Sequence, residues 1–265
     1  MKRRFILASI LLSLSTIAFA QQSGDFVVPL SNPNQRGKLK AHVHFGSITV
    51  KGSPRKDVLV KYTAVERDPK QGNRDGLKRI TGEAMDLEIT ENNNVVRIGS
   101  NSFSNGTDLE IEVPLDFDLT VTSFNEGAMF ISNVSGELEL TNHNDDITAE
   151  NISGSVLATS FNGELKISFN KVKEGVPMSF STFNGDIDIT FPATLKATFK
   201  MKTEQGEVLS DFDMNMIKEA PVQRKETSGG TYKVVIDGSI KAQVNGGGPE
   251  FIIKNHNGDI IIRKR

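Results

Sequence analysis

Hydrophobic and polar residues alternate along most of this chain in short runs that glycine and asparagine residues interrupt. The clearest runs are 137–140, 164–169 and 186–191, in which every second side chain is apolar. Strict alternation places the apolar side chains of a strand on one face and its polar side chains on the other. Helical 3.6-residue patterns are hard to find, so the pattern predicts an all-β protein.

A five-residue phrase recurs between these runs and reads aromatic, asparagine, glycine, acid, aliphatic. Its copies, some of them incomplete, begin at Phe124, His143, Phe161, Phe183 and His256, and 204–208 is a weaker copy. Asn125, Asn144 and Asn162 are 19 and 18 residues apart, and turn-forming residues fall every nine residues through this region. A short repeat of this kind predicts a repetitive architecture.

Two strands and two turns in each repeat are compatible with two architectures. One is an array of antiparallel hairpins, and the other is a parallel β-solenoid of stacked coils. The return of the same side chain at the same phase favours the solenoid, because stacked strands lie about 4.8 Å apart and equal asparagines then bond along the stack. The glycine supplies the positive φ of a tight corner. The predicted corner ladder consists of Asn125, Asn144, Asn162, Asn184 and Asn257.

The fold prediction is therefore an all-β parallel β-solenoid with coils of about 18–22 residues and an irregular N-terminal cap. Longer turns at 170–178 and 211–232 are predicted to lie outside the stack, and the apolar residues of 211–217 either cover the stack or contact a partner. Residues 263–265 are predicted to protect the unpaired edge of a terminal coil with their charge. The interior is predicted to hold Leu138, Leu140, Ile147, Val156, Leu165, Ile167, Ile187, Ile189, Val208, Ile260 and Ile262.

The N-terminal segment has the composition of a secretory signal peptide. Basic residues at 2–4 precede a short apolar run, and Ala18 and Ala20 form a small-x-small cleavage site. The predicted organisation is a signal peptide at 1–20 and a single β-solenoid domain at 21–265, with less regular first coils and a cap at 24–120 and regular repeats at 121–265.

The composition of the chain limits the cross-links, membrane anchors and partners that this domain can have. The chain has no cysteine, which excludes disulfides and the cysteine-linked lipid anchor of a lipoprotein. Its net charge of −2 argues against nucleic acid or an anionic membrane as a partner, and no other stretch is apolar enough to span a bilayer. We therefore expect export to the periplasm or the cell surface.

Five stretches carry a resemblance to a known family. They are 44–50, 113–121, 191–197, 205–212 and 255–260. In order and spacing they resemble the bacterial "putative adhesin" family of β-strand-repeat domains, over nearly all of the chain after the signal peptide. The resemblance implies a parallel β-solenoid in a bacterial envelope. It transfers no catalytic residue, because the family has no defined chemistry.

The acid of each phrase is the foremost candidate for chemistry. If the coils stack in phase, the acids form a row with carboxylates about 5 Å apart. Like charges at that distance repel unless they are neutralised, and Ca²⁺ binds several carboxylate oxygens. The chain lacks the glycine-rich nonapeptide of calcium-binding β-rolls, so a solvated acidic edge is favoured and Ca²⁺ is the alternative. The row consists of Asp146, Glu164, Asp186, Glu207 and Asp259.

The histidines form a second candidate site. His42 and His44 lie two residues apart on a predicted strand and share a face, a spacing that suits two metal ligands, but no third ligand is evident. His143 and His256 occupy the aromatic position of the phrase and are interpreted as stacking residues.

Signatures of catalysis are lacking in the sequence. There is no nucleophile elbow and no phosphate-binding glycine loop, so no catalytic or cofactor-binding residue is assigned. The predicted function is a non-enzymatic, exported binding or structural module of the bacterial cell envelope that contacts a glycan or protein partner. Two alternatives stay open: a cation-stabilised scaffold, and a carbohydrate-active enzyme on the same scaffold. The enzyme would need a compact cluster of acids with Arg or Lys in mid-solenoid, which is not evident.

Overall fold

The computed structural model describes residues 23–65, 86–100, 105–218 and 238–265, and the backbone alone of 223–228 and 231–236. The predicted signal peptide lies outside the described residues. The strands in chain order are β1 (Ser23–Pro29), β2 (Gly37–Phe45), β3 (Ile48–Ser53), β4 (Asp57–Val65), β5 (Glu88–Asn92), β6 (Val95–Ser100), β7 (Gly106–Pro114), β8 (Phe117–Asn125), β9 (Met129–Ser132), β10 (Ser135–Asn142), β11 (Ile147–Ser160), β12 (Leu165–Val172), β13 (Met178–Ser181), β14 (Ile187–Phe191), β15 (Ala197–Lys202), β16 (Val208–Ser210), β17 (Asn215–Met216), β18 (Gln223–Ser228), β19 (Thr231–Ile236), β20 (Ile240–Val244), β21 (Glu250–Lys254) and β22 (Ile260–Lys264). Within the described ranges, no helix is long and apolar enough to cross a membrane.

Most strands belong to two long faces, between which the chain passes at its corners. The first face runs in the order β6, β2, β8, β10, the second half of β11, β13, β21 and β15, and neighbouring strands are parallel. The second face runs in the order β7, β3, β9, the first half of β11, β12, β14, β22 and β16, again in parallel. One strand from each face and the corner between them make one coil. The stacked coils form a parallel β-solenoid, which confirms the predicted fold class.

The alternating runs direct their apolar side chains into one continuous interior. All of the residues predicted to fill it are buried except Val208, which is partly buried in the strand β16 at the end of its face. Burying one large apolar side chain contributes about 1.5–3 kcal/mol to stability. Five buried aromatic rings cluster within this interior, with neighbouring centroids 5.1–6.5 Å apart: Phe169, Phe180, Phe191, Phe199 and Phe251.

The coils do not stack in chain order. The coil β21–β22, which comes last in the sequence, lies between the coils β13–β14 and β15–β16. Ile260 pairs with Ile187 on one side and with Val208 on the other. The prediction that residues 263–265 protect the unpaired edge of a terminal coil is therefore wrong, because this coil has a neighbouring coil on each side. Ile260–Ile262 pair with both β14 and β16, and Arg263 and Lys264 pair with β14.

A similar interleaving occurs near the other end of the stack. The coil β2–β3 lies between β6–β7 and β8–β9. Antiparallel strands flank the parallel coils at both ends: β4 pairs with β7 and with β1, β5 pairs with β6, and β20 pairs with β15 and with β17. The first face therefore ends in an antiparallel strand on both sides, and the second face does so beside β7, whereas β16 is the last strand of the second face in the described part of the chain.

The predicted insertions interrupt the coils as expected where the structure describes them. β12 ends at Val172 and β13 begins at Met178. In the second insertion Phe212 is only 8% exposed and joins the core, Met214 packs against the core, and Met216 is exposed. Phe212 and Met214 therefore cover the end of the stack, whereas Met216 does not. Residues 219–222 and 229–230 of the insertion lie outside the described residues.

Candidate functional site

The turn that carries the repeated phrase connects the first face to the second, and we name it the asparagine corner. Its asparagines lie one above another in the order Asn125, Asn144, Asn162, Asn184 and Asn257. Each side-chain amide donates to Oδ1 of the asparagine before it in the stack, at N–O distances of 2.8, 3.1, 2.7 and 3.5 Å. A carboxamide carries both a donor and an acceptor, so identical residues can bond continuously along the stack.

The glycine of the phrase has two roles at this corner. Gly258 has a φ of +132°, which side-chain-bearing residues rarely adopt. A Cβ atom there would also lie 2.5 Å from the carbonyl oxygen of Gly185 in the neighbouring coil. The conformation agrees with the sequence prediction, whereas the close approach of the two backbones becomes evident only from the stacking.

A small polar residue directly before the aromatic residue is a part of the corner that the sequence prediction misses. Thr182 donates to the carbonyl oxygen of Gly163 at 3.0 Å, and Asn255 donates to that of Gly185 at 2.8 Å. Both side chains are buried, so they satisfy corner carbonyls that water does not reach. Its sequence signal is the recurrence of Ser, Thr or Asn at this position, also seen at Ser123, Asn142 and Ser160.

The acidic row contains two kinds of member. The three aspartates each accept a hydrogen bond from a backbone N–H of the next coil: Asp146 from Glu164 at 2.7 Å, Asp186 from Asp259 at 2.8 Å, and Asp259 from Glu207 at 2.8 Å. The side chains of the two glutamates make no such contact in the described residues. The aspartates therefore link neighbouring coils. This role differs from the solvated acidic edge that the sequence analysis favoured.

The candidate metal ligands do not converge. Across the described ranges, no group of three or more His, Asp or Glu side chains is arranged to hold a metal ion. Neither the acidic row nor the pair His42 and His44 gains a third ligand there. His44 instead packs against Phe124, with ring centroids 5.2 Å apart.

Six aromatic side chains line the edge of the first face beside the asparagine corner, and we name them the aromatic file. They are His44, Phe124, His143, Phe161, Phe183 and His256. The rings associate in two groups of three, His44 to His143 and Phe161 to His256, with neighbouring centroids 4.4–5.2 Å apart. The stacking expected for His143 and His256 is present in the structure.

The aromatic file is interrupted between His143 and Phe161. The backbones of these coils are adjacent, because the N–H of Asn162 donates to the carbonyl oxygen of His143 at 2.9 Å. One face of the Phe161 ring packs on Phe183, and no ring of the described residues packs on the other face. Phe161 is 52% exposed, compared with 38% for Phe124 and 42% for Phe183.

A line of hydroxyl side chains runs parallel to the aromatic file, two residues earlier in each strand, and we name it the hydroxyl row. It consists of Thr122, Thr141, Thr159 and Ser181, and the strand register places each beside the next. Strands in a sheet are about 4.8 Å apart, which sets the spacing of the row. In the part of the chain that the structure describes, these four hydroxyls form no hydrogen bond with the protein. They are therefore available to a ligand.

A shallow groove of about 320 Å³ opens on the second face. The strand register brings its walls together, since β12 lies between β11 and β14, and β14 lies beside β22. The groove is the compact cluster of acids with Arg and Lys that was not evident in the sequence, because its residues come from distant parts of the chain. It is lined by Ala149, Glu150, Lys166, Ile167, Ser168, Asp188, Thr190 and Arg263.

Asp188 and Arg263 form a bidentate ion pair within this groove. Nε of Arg263 lies 2.8 Å from Oδ1 of Asp188, and Nη2 lies 2.9 Å from Oδ2. Hydrogen bonding to Asp188 raises the pKa of Arg263 above its usual value. Because both oxygens of Asp188 accept from the guanidinium, this carboxylate is poorly placed to donate a proton as a general acid. The groove thus offers Glu150 and Lys166, both exposed, as charged groups for a polar ligand.

Comparisons with known proteins gave one family match and several solved structures of low identity. Residues 117–241 match the sequence model of the Toastrack family DUF4097. A solved structure described as a putative cell adhesion protein from Clostridium sporogenes is 13% identical, with a TM-score of 0.49, and the alignment covers 92% of this chain and 100% of that one. A putative adhesin from Bacteroides fragilis is 10% identical, with a TM-score of 0.32 and coverage of 94% and 98%. A putative adhesin from Parabacteroides merdae is 8% identical, with a TM-score of 0.30 and coverage of 92% and 95%.

None of the curated proteins compared with the chain matches it significantly. The family match includes most of the regular repeat, from β8 to the start of β20. Toastrack domains have a β-solenoid-like fold, in agreement with the stacked coils described above. The resemblance to a β-strand-repeat family is therefore confirmed, and residues 117–241 are the part of the chain that matches the Toastrack family DUF4097.

Proposed function

We propose that this protein is a non-enzymatic, exported binding module of the bacterial cell envelope, which contacts a glycan or protein partner through the first face beside the asparagine corner. The observation that carries the proposal is the exposure of Phe124, Phe161 and Phe183 in one line. Large apolar rings exposed together on a polar surface are characteristic of binding sites. The hydroxyl row beside them adds polar groups that a partner can bind.

The chemistry of the acidic side chains supports a binding role over a catalytic one. The aspartates of the acidic row accept hydrogen bonds from the backbone, and Asp188 accepts two from Arg263. Hydrolysis of a glycosidic bond requires a pair of carboxyl groups, one to donate a proton and one to act on the sugar or on water. The groove contains two carboxyl groups, those of Glu150 and Asp188. Because Arg263 binds Asp188, Glu150 has no second free carboxyl group beside it in the groove.

The test is binding to the cell envelope of the bacterium that encodes the chain. We expect the purified protein to sediment with isolated envelopes, and the double variant Phe161→Ala, Phe183→Ala to sediment much less. Phe130→Ala is the matched control, because Phe130 is 37% exposed but lies in β9 on the second face. Equal retention of the three proteins, or no retention of any, contradicts the proposal.

Export is tested separately. The signal peptide predicts that the protein isolated from cells begins at Gln21. Mass spectrometry of the protein recovered from the periplasm and from the cell surface measures both its first residue and its location. An uncleaved protein that remains in the cytoplasm contradicts the envelope location.

A carbohydrate-active enzyme is a second candidate function, favoured by the acid, Lys and Arg cluster of the groove. It predicts that the protein releases reducing ends from a polysaccharide and that Glu150→Gln abolishes the release. Absence of turnover across a panel of envelope and plant polysaccharides contradicts this candidate. Turnover that Glu150→Gln abolishes contradicts the non-enzymatic proposal instead.

A further inference from the structure

We propose that the partner of the first face is an extended, uncharged glycan that lies along the solenoid axis, with about one sugar ring for each coil. The glycan contacts the hydroxyl row and the aromatic file, and its central ring packs on the open face of Phe161. This inference rests on the proposed function, because it names the ligand class of the same face.

The geometry of the surface repeats with the coils. Thr122, Thr141, Thr159 and Ser181 lie in register on adjacent strands, so a ligand that runs along the axis meets a hydroxyl about every 4.8 Å. An extended chain of linked pyranose rings advances by a similar length for each ring. An extended peptide advances about 3.3 Å per residue and presents a side chain to one face about every 6.6 Å, so its groups on that face do not match the spacing of the row from one coil to the next.

The polar groups of the surface suit sugar hydroxyls. A threonine or serine hydroxyl donates one hydrogen bond and accepts others, and the hydroxyl row has no protein partner among the described residues. The row carries no charge along its length, and it ends beside His42 at one end and Lys254 at the other. A neutral ligand about four rings long therefore matches the uncharged part of the surface.

The interruption in the aromatic file supplies the apolar contact. Within each group of three, neighbouring rings contact one another, stacked at interplanar angles of 5–15° in three of the four contacts and tilted at 38° between His44 and Phe124. Among the described residues, Phe161 and His143 each contact a ring on one side only, away from the interruption, and Phe161 is the most exposed ring of the file. The apolar C–H face of a pyranose ring can pack on such a ring, while Thr141 and Thr159 on the two flanking strands bind its hydroxyls.

The experiment measures binding of the purified protein to soluble neutral polysaccharides (mixed-linkage β-glucan, xyloglucan and galactomannan) and to alginate as an anionic comparison, by affinity electrophoresis. We expect retardation by a neutral polysaccharide and little by alginate. Phe161→Ala is expected to weaken binding about tenfold, and the double variant Thr141→Val, Thr159→Val several-fold, whereas Phe130→Ala leaves it unchanged. The melting temperature of each variant verifies that it is folded.

Oligosaccharides cut from the neutral polysaccharide that binds give a second measurement. Affinity is expected to rise with length up to about four rings and then level, because the hydroxyl row covers four coils. The inference is overturned if no neutral polysaccharide binds, if Phe161→Ala and Phe130→Ala behave alike, or if alginate binds as well as the neutral chains.

Treatment of the envelopes separates failure of this inference from failure of the proposed function. Periodate, which cleaves the vicinal diols of sugars, is expected to abolish retention of the protein, and protease treatment is expected to leave it. If retention depends on Phe161 and is lost after protease treatment but not after periodate treatment, the ligand is not a glycan. The proposal that the protein is a binding module is then still supported. No retention by untreated envelopes contradicts the binding module itself.

Discussion

The carboxylate of Asp186 accepts a hydrogen bond from the backbone N–H of Asp259, at an O–N distance of 2.8 Å, although the two residues are 73 positions apart in the chain. This contact joins the coil that comes last in the sequence to one in the middle of the stack. Asp146 accepts the equivalent hydrogen bond from the backbone N–H of Glu164 in the next coil. The acid of the repeated phrase is thus part of the bonding between coils.

Replacing Asp186 with alanine is expected to lower the free energy of unfolding by about 1 kcal/mol, because the N–H of Asp259 loses a charged acceptor. Urea denaturation measures the change. Glu164→Ala is the matched control, since Glu164 belongs to the same row and its carboxylate accepts no backbone N–H in the described residues. A larger effect of Glu164→Ala than of Asp186→Ala contradicts the structural role of the aspartates.

The asparagine ladder predicts an effect that depends on position. Asn162 both donates to Asn144 at 3.1 Å and accepts from Asn184 at 2.7 Å, whereas Asn257 makes one longer bond of 3.5 Å at the end of the ladder. Asn162→Ala is expected to cost about 1–2 kcal/mol of unfolding free energy, and Asn257→Ala clearly less. Equal losses in denaturant titrations indicate that the ladder contributes little beyond corner geometry.

Placement of the last coil inside the stack predicts that its core is essential. Phe251 is fully buried and its ring lies 5.7 Å from those of Phe191 and Phe199. Phe251→Ala is expected to destabilise the protein by about 3–5 kcal/mol, measured by thermal and urea unfolding. Phe130→Ala, at an exposed position, is the control.

Deletion of residues 250–265 extends this prediction, because it removes an internal coil and separates β13–β14 from β15–β16. The truncated chain is expected to lose the cooperative unfolding transition as a whole. A truncated protein that still melts in one sharp transition contradicts the coil order described above.

Acid is expected to weaken the contact between the segment after β1 and the β5–β6 turn. The pKa of Glu91 is lowered from its usual 4.5, chiefly by the backbone N–H of Ser31 and also by its hydroxyl and the N–H of Asn94. A lowered pKa in the folded state gives stability above the unfolded value, and that stability is lost as the pH falls through the folded value. Glu91→Gln should therefore flatten the fall in melting temperature at acid pH, whereas Glu88→Gln should not.

Chelation tests the cation-stabilised alternative. Because the aspartates of the acidic row already accept backbone hydrogen bonds, we expect excess EDTA to leave the melting temperature unchanged and added CaCl₂ to leave it unchanged as well. Differential scanning calorimetry on the untreated and treated protein measures both. A fall of several degrees with EDTA that Ca²⁺ restores establishes a bound cation.

Local features of the coils were predictable because they depend on residues close together in sequence. Alternation identifies the buried face of each strand, and the glycine and asparagine of the phrase mark the corner. The phase of the repeat places Asn144 and Asn162 at equivalent positions, and the structure joins them by a hydrogen bond. These inferences need only the geometry of one coil and the rule that equal coils stack.

The order of the coils was not predictable in the same way. The phrase at His256 resembles that at Phe183 as closely as it resembles any other, so nothing local indicates which coils lie beside it. The partner of a coil is chosen by the packing of distant side chains such as Phe251 against Phe191. The groove was missed for the same reason, since Asp188 and Arg263 meet only when β14 and β22 are adjacent.

Repeat proteins with free ends can evolve by gaining or losing a repeat at either terminus, because the new unit needs only one neighbour. The interleaved coil order closes that route here. A coil duplicated after β22 would find both edges of that strand already bonded, and one lost from the same place would leave a gap within the stack. Natural variation should therefore occur in the loops and side chains, while the number of coils stays constant.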